Sequence, residues 1–199
     1  MNFNLRNMFQ FLAYITPFLL GFTFLLLAAM NGNVLQAVVY FGILVMTSLL
    51  VSMLKINNGV PLPAIPEVCK TWGWNFFDDA YYRPSLSTYF ISFTLMYVLT
   101  PMLVTSNVNW FLFSFMTFVY VLEMTYNFGY NKCYTLMSFV LSTLLGVLFG
   151  GGSGLLLSKN APEMIFFGDK PSNKATCGKV SNRNFKCVVY KNGQLIKSI

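Results

Sequence analysis

The sequence predicts an all-α integral membrane protein, with a bundle of about five transmembrane helices and a small β-hairpin-like tail at the C-terminus. Hydrophobic residues make up 56% of the 199 residues and charged residues only 10%, whereas soluble domains carry about 25% charged residues. The apolar residues form long uninterrupted runs, and the C-terminal end is polar and basic. These observations favour a membrane anchor with one small appendage.

Five apolar runs are candidates for membrane spans. A helix rises about 1.5 Å per residue and needs about 20 residues to cross about 30 Å of hydrocarbon. We place the spans at about residues 8–30, 36–54, 87–104, 110–126 and 133–157, within a bundle domain of residues 1–157. The third and fourth spans meet at the short sequence TSNVN and are predicted to form a helical hairpin. Four or six spans are the alternatives, if this hairpin is re-entrant or if the sequence TWGWNFF dips into the bilayer.

The loop of residues 55–86 contains the sequence TWGWNFFDDAYY. Aromatic residues mixed with polar ones favour the headgroup layer of a membrane. We therefore predict that this loop is an interfacial anchor, and a ligand or docking site is the alternative. The anchor residues are Trp72, Trp74, Phe76, Phe77, Tyr81 and Tyr82.

A glycine pattern marks the fifth span. Gly146, Gly150 and Gly154 are spaced at i, i+4 and i+8, so they share one face of a helix. Small residues on such a face let another helix approach closely in lipid. The pattern predicts tight packing, either within the bundle or between protomers.

The basic tail comprises residues 158–199. It holds eight basic and two acidic residues, a balance of 8 − 2 = +6 that accounts for nearly all of the chain's +7. Residues 187–190 and 194–196 are typical of strands, and Asn192-Gly193 between them favours a hairpin turn. A disulfide between Cys177 and Cys187 would close a short loop and stabilise so small a unit, and two reduced thiols are the alternative.

The tail also offers a docking surface. We assign partner docking to Lys179, Arg183, Lys186 and Lys191. Anionic lipid headgroups or an acidic protein surface fit these side chains. The basic residues are spread out and match no nucleic-acid-binding motif, so specific nucleic-acid binding is not predicted.

The sequence favours no catalytic, metal or cofactor site. It contains no histidine, which is the commonest general base and the commonest metal ligand. The four cysteines are scattered without a CxxC pair. We therefore predict that the protein is not an enzyme.

Glu123 is the only carboxylate inside a predicted span. An acid within a membrane is by default a candidate functional residue. Because Glu123 is near the end of its span, we expect a structural glutamate that reaches water or Lys132. A proton or ion site is the alternative.

Four stretches carry a resemblance to a known family. They are PLPAIPEVC, RPSLSTYFISFTLMYVLTPM, NKC before the glycine-rich span, and FKCVVYKNGQLI. Over roughly residues 60–199 the chain resembles a family of uncharacterised multi-span membrane proteins of nucleocytoplasmic large DNA viruses that infect algae and other protists. The resemblance implies a protein of the internal virion membrane beneath an icosahedral capsid, and it carries over no catalytic residue. It also implies a virus-encoded thiol oxidase, which would allow a disulfide on the cytosolic side.

The expected function is structural. The bundle anchors the protein in lipid, and the tail docks on a capsid or other coat protein, with self-association through the glycines as a further option. The positive charge of the tail favours a cytosolic location for it. The alternatives are an accessory hydrophobic subunit of a protist membrane complex, such as a mitochondrial one, or a small transporter or channel that uses Glu123.

Overall fold

The computed structural model describes residues 5–30, 32–54, 69, 84–167, 176–179, 185–191 and 194–198, and in the last three ranges it describes the backbone alone. Several predicted features lie outside these residues. They are the six aromatic anchor residues of the loop (Trp72, Trp74, Phe76, Phe77, Tyr81 and Tyr82), the docking residue Arg183 and the turn at Asn192-Gly193.

Helices dominate the described part of the chain. They are α1 (Leu5–Met30), α2 (Val34–Ser52), α3 (Leu86–Val104), α4 (Trp110–Glu123), a π segment (Met124–Tyr130), α5 (Leu136–Asn160) and a 3-10 helix (Pro162–Met164). Four helices are long and apolar enough to cross a membrane, namely Val34–Ser52, Leu86–Val104, Trp110–Tyr130 and Leu136–Asn160. Within α1, Ile15–Met30 is a further apolar segment that is shorter. The helices are therefore compatible with a transmembrane protein.

Local hydrogen bonds explain where the helices begin. The Thr88 N–H donates to Ser85 Oγ at the start of α3 (3.4 Å), and the Ser138 N–H donates to Thr135 Oγ1 at the start of α5 (3.2 Å). Such caps satisfy backbone donors that a helix leaves unpaired. Helix α5 therefore starts at residue 136, so the predicted start at 133 is three residues too early.

Two connections shift the other predicted boundaries. After α1, Gly32 adopts a left-handed backbone (φ 67°), its N–H donates to the Ala29 carbonyl, and the Asn33 N–H donates to the Ala28 carbonyl. This is a Schellman stop, and α2 can then begin at residue 34 instead of 36. The fourth span continues to residue 130 instead of 126, because α4 runs on as the π segment.

Helix α3 is the centre of the bundle. In the most apolar 18-residue window of α3, 61% of the window is buried inside the bundle. The corresponding share in the other three candidate spans is 22–28%. The remaining helices surround α3 and expose large apolar side chains on their outer surfaces. Examples are Phe22 on α1, Met46 on α2, Phe111 on α4 and Leu148 on α5.

Long-range contacts tie together the segments at each end of the bundle. At one end a disulfide joins Cys69, before α3, to Cys133, after the π segment. At the other end Asn33 Nδ2 and Gln36 Nε2 donate to the Glu163 carbonyl, at 3.0 and 3.3 Å. The chain therefore runs in alternate directions through consecutive helices, as the predicted spans require, and α3 and α5 are parallel.

The tail backbone forms a three-stranded antiparallel sheet in the order β1-β2-β3. The strands are Thr176–Lys179, Phe185–Lys191 and Gln194–Ser198. The register pairs position 177 with 187 and position 179 with 185. Between β2 and β3 the register shifts at Val189/Tyr190.

Candidate functional site

The glycine face of α5 contacts α3 of the same chain. A Cβ atom on Gly146 would be 2.9 Å from the Phe93 backbone nitrogen, and one on Gly154 would be 3.1 Å from the Tyr97 carbonyl oxygen. At Gly150 the nearest atom would be the Phe93 carbonyl oxygen, with the Phe93 Cα 2.9 Å away. We call this contact the glycine seam. Of the two expected uses of the glycines, the structure shows packing within the bundle, and α3 covers the face that self-association would need.

Two serine hydroxyl groups next to the glycine seam also allow α3 and α5 to approach each other closely. Ser92, which a Cβ on Gly146 would also strike, donates its hydroxyl to the Thr88 carbonyl at 2.8 Å. Ser142 donates likewise to the Ser138 carbonyl at 2.6 Å. Short hydroxyl side chains that bond their own helix occupy little space, and they leave no unpaired donor in the interface.

Glu123 lies inside the bundle, and its side chain is fully buried, with 0% exposure. The expectation that it reaches water is therefore wrong. The reason is the π segment, which carries the chain seven residues past Glu123 before the helix ends. Glu123 is thus placed against α3 and against the linker that leads to α5.

Four side chains hydrogen-bond the Glu123 carboxyl group, namely those of Ser87, Thr88, Asn127 and Tyr134. The Tyr134 hydroxyl donates to Oε1 at 2.8 Å, and Asn127 Nδ2 donates to Oε2 at 2.6 Å. The Thr88 hydroxyl lies 3.5 Å from Oε1 and 3.1 Å from the Tyr134 hydroxyl. We call Glu123 and these four partners the Glu123 cluster. They come from α3, α4, the π segment and the linker before α5, so the cluster joins segments that are far apart in the sequence.

Two further observations define the cluster. Asn127 is only 4% exposed, and its Oδ1 atom has no hydrogen-bond partner. Tyr134 lies in the linker between the π segment and α5. Burial and the neighbouring Glu123 raise the pKa of its phenol well above its usual range. The phenol is therefore neutral at ordinary pH and available as a hydrogen-bond donor.

The disulfide beside this cluster was not predicted from the sequence. Cys133, which pairs with Cys69, directly precedes Tyr134, and its N–H donates to the Asn127 carbonyl at 2.8 Å. The sequence does contain a usable indication, because the two cysteines flank the predicted α3–α4 hairpin and must lie at the same end of the bundle. The predicted pair is Cys177 and Cys187. Their positions are directly opposite in β1 and β2, but their side chains lie outside the described residues, so this disulfide stays a prediction.

The segment after α5 is fixed to the bundle. Ile165 and Phe166 are buried, and the Phe166 ring lies 5.2 Å from the Phe24 ring. The Ile165 carbonyl accepts a hydrogen bond from Gln36 Nε2 at 3.2 Å. We call the segment of residues 161–167 the tail root, since it leads directly into the basic tail.

Comparisons of this chain with protein-family models, with curated proteins and with solved structures each find no match. A function therefore has to be inferred from the chain's own geometry.

Proposed function

We propose that this protein is an integral membrane scaffold that joins a bilayer to an adjacent protein layer through its basic tail. Insertion into a bilayer is supported by the outer surfaces of the helices. Their large exposed side chains are apolar, and a surface of this kind is stable against lipid tails but a liability in water. Examples are Phe11, Phe22, Val38, Met46, Phe118, Leu148 and Leu156.

The observation that carries the scaffold proposal is the fixed tail root. A segment that is fixed on the bundle gives a docking module a defined position, whereas a flexible linker would let the module move. Here the side-chain amides of Asn33, before α2, and of Gln36, in its first turn, donate to the carbonyl groups of the tail root. The acceptors belong to Glu163 and Ile165. Phe166 is buried beside Tyr40 as well. These contacts place the start of the tail at a defined position on the bundle.

The disulfide supports a cytosolic location for the tail. Disulfides form and persist in oxidising compartments, and the Cys69–Cys133 bond is at the end of the bundle opposite the tail root. The predicted spans assign five basic and three acidic residues to that side of the membrane, a balance of 5 − 3 = +2, against +6 for the tail. The charge asymmetry favours the same orientation. A virus-encoded thiol oxidase, which the resemblance implies, would allow a Cys177–Cys187 bond on the cytosolic side. The orientation would then rest on the charge asymmetry alone.

The resemblance suggests which layer the tail contacts. In the internal membrane of a large DNA virus, a cytosolic tail would face the capsid. We therefore propose a capsid or coat protein as the partner, recognised through acidic groups on its inner surface. An accessory role in a protist membrane complex is the alternative location for the same scaffold.

The strand register gives this proposal a matched test. Successive residues of a strand alternate between its two faces, so positions 186 and 191 of β2 belong to opposite faces, and position 179 shares the face of 191 because it pairs with 185. Lys186→Glu and Lys191→Glu change the net charge equally. Docking through one face predicts that one of these variants is released when detergent strips lipid from native particles, while the other stays with the coat. Equal retention of both variants and of the wild type would contradict docking through these lysines, and equal partial release of both would contradict docking through one face.

A further inference from the structure

We propose that the Glu123 cluster is a binding site for a small monovalent cation, with Na⁺ as the fitting ion. This activity is separate from the scaffold function and does not depend on it. The starting point is the charge of the site. Glu123 is completely buried, and the four side chains that bond it are all neutral. They are Ser87, Thr88, Asn127 and Tyr134.

A bare carboxylate in such a place is costly, because the bundle interior does not replace its hydration. The N-terminus of α3 is close by, since Thr88 is in its first turn. A helix N-terminus contributes only about half a positive charge. It therefore offsets part of the negative charge, and a bound cation would balance the rest.

The Oε1 atom of Glu123 and two hydroxyl oxygens are hydrogen-bonded to one another, and their spacing also fits a cation once the two hydroxyl groups turn their hydrogens away from it. Glu123 Oε1, the Tyr134 hydroxyl and the Thr88 hydroxyl form a triangle with sides of 2.8, 3.1 and 3.5 Å. In a shell of six or seven oxygens at about 2.4 Å from a hard cation, neighbouring oxygens are about 2.8–3.4 Å apart. The triangle therefore resembles one face of such a shell. The larger K⁺ ion would need a wider triangle.

One further oxygen lies next to this triangle, and another belongs to a side chain of the cluster. Ser85 Oγ is 3.1 Å from Thr88 Oγ1. Asn127 Oδ1 belongs to a side chain that already contacts Glu123, and it is buried without a hydrogen-bond partner. A buried polar atom without a partner is rare and calls for a physical reason. A cation ligand needs a lone pair and no donor, and Asn127 Oδ1 provides this. A single carboxylate among neutral oxygens matches a monovalent ion better than a divalent one.

The test uses the full-length protein purified in detergent. Its melting temperature is measured in NaCl, KCl and N-methylglucamine chloride at equal ionic strength, and binding of radioactive sodium is measured directly. We expect one saturable Na⁺ site per chain. At a hundredfold excess over Kd, NaCl should raise the melting temperature by about 5–10 °C above the N-methylglucamine value, and KCl should raise it less.

Glu123→Gln keeps the shape of the side chain and removes the charge, so it should abolish sodium binding and the difference between salts. Thr88→Ala keeps the charge and removes one ligand, and it should raise Kd at least tenfold. The control is Tyr40→Phe, which loses a buried hydrogen bond to Thr94 elsewhere in the bundle and should retain the sodium effect. The absence of saturable sodium binding to the wild type would overturn the proposal. So would a melting temperature that responds to pH but is the same in all three salts, because a proton would then occupy the site.

Discussion

The glycine seam and the Glu123 cluster both include residues of α3, but they hold the bundle together in different ways. The seam depends on the absence of side chains, because Gly146, Gly150 and Gly154 let two backbones touch. The cluster depends on side chains from four segments that meet at one carboxyl group. The comparison shows that the close helix contact requires only small residues at a regular local spacing. The buried carboxyl group instead requires hydrogen-bonding residues from distant parts of the sequence.

The largest expected effect breaks the seam. Gly150→Ala would force a Cβ atom against the Phe93 carbonyl group, and backbone atoms cannot move away cheaply. Overpacking typically costs about 1–3 kcal/mol and occasionally more, and we expect the upper end here, with Gly150→Leu failing to fold. Denaturant titration in mixed micelles measures the change in unfolding free energy.

The control for this variant is a change at Gly152, two residues further along α5 and on a different face of the helix. Gly152 is exposed, and a Cβ atom there would meet nothing within 4 Å. Gly152→Ala should therefore be neutral or stabilise the helix by up to about 1 kcal/mol. Similar losses for Gly150→Ala and Gly152→Ala would show that the seam is not a steric contact.

The second largest effect tests how much the disulfide beside the Glu123 cluster stabilises the fold. Removal of the Cys69–Cys133 disulfide, which spans 64 positions, should cost about 2–4 kcal/mol of unfolding free energy. Cys69→Ser and Cys133→Ser should each match the wild type treated with reductant. A reductant effect that persists in these variants would point to another disulfide as its source.

A third change sharpens the comparison within the cluster itself. Tyr134→Phe removes the hydroxyl that donates to Glu123, and hydrogen bonds to charged groups contribute about 1.5–3 kcal/mol. Tyr40→Phe removes a neutral bond to Thr94 of 2.7 Å, and such bonds contribute about 0.5–1.5 kcal/mol. If urea or SDS unfolding shows equal losses of unfolding free energy for the two variants, the hydrogen bond to Glu123 stabilises the fold no more than a neutral one.

The smallest effect is a pH dependence. Burial, with Glu123 as a second cause, holds the pKa of Tyr134 well above its usual range in the folded state. The folded protein then keeps a proton that the unfolded chain loses above about pH 10. Stability is therefore fully present below that pH and should fall above it by about 1.4 kcal/mol per pH unit. The difference between the wild type and Tyr134→Phe isolates this contribution, and parallel pH profiles for the two proteins would contradict it.

The sequence predicts the helices and the seam well because both depend on local pattern. Apolar runs of about 20 residues locate the long helices, and the spacing of Gly146, Gly150 and Gly154 identifies the packed face. The boundaries are less predictable, since α5 starts three residues late where Thr135 caps it. The choice of partner for the glycine face also cannot be read from spacing, because a helix of the same chain and one of another protomer would fit equally well.

The cluster illustrates what sequence cannot give. Glu123 stands out in its span, but its partners Thr88 and Tyr134 are ordinary residues 35 and 11 positions away. The π segment, which buries Glu123 instead of exposing it, has no distinctive composition. The Cys69–Cys133 pair is missed for a related reason, since pairing follows from which loops share an end of the bundle.

The scaffold proposal is tested most directly by cross-linking the native membrane or particle through the tail lysines and identifying the linked peptides by mass spectrometry. The proposal predicts links from Lys179, Lys186 or Lys191 to an abundant capsid or coat protein. Links that lead only to lipid-embedded subunits of an energy-transducing complex, or no links to another protein at all, would contradict it.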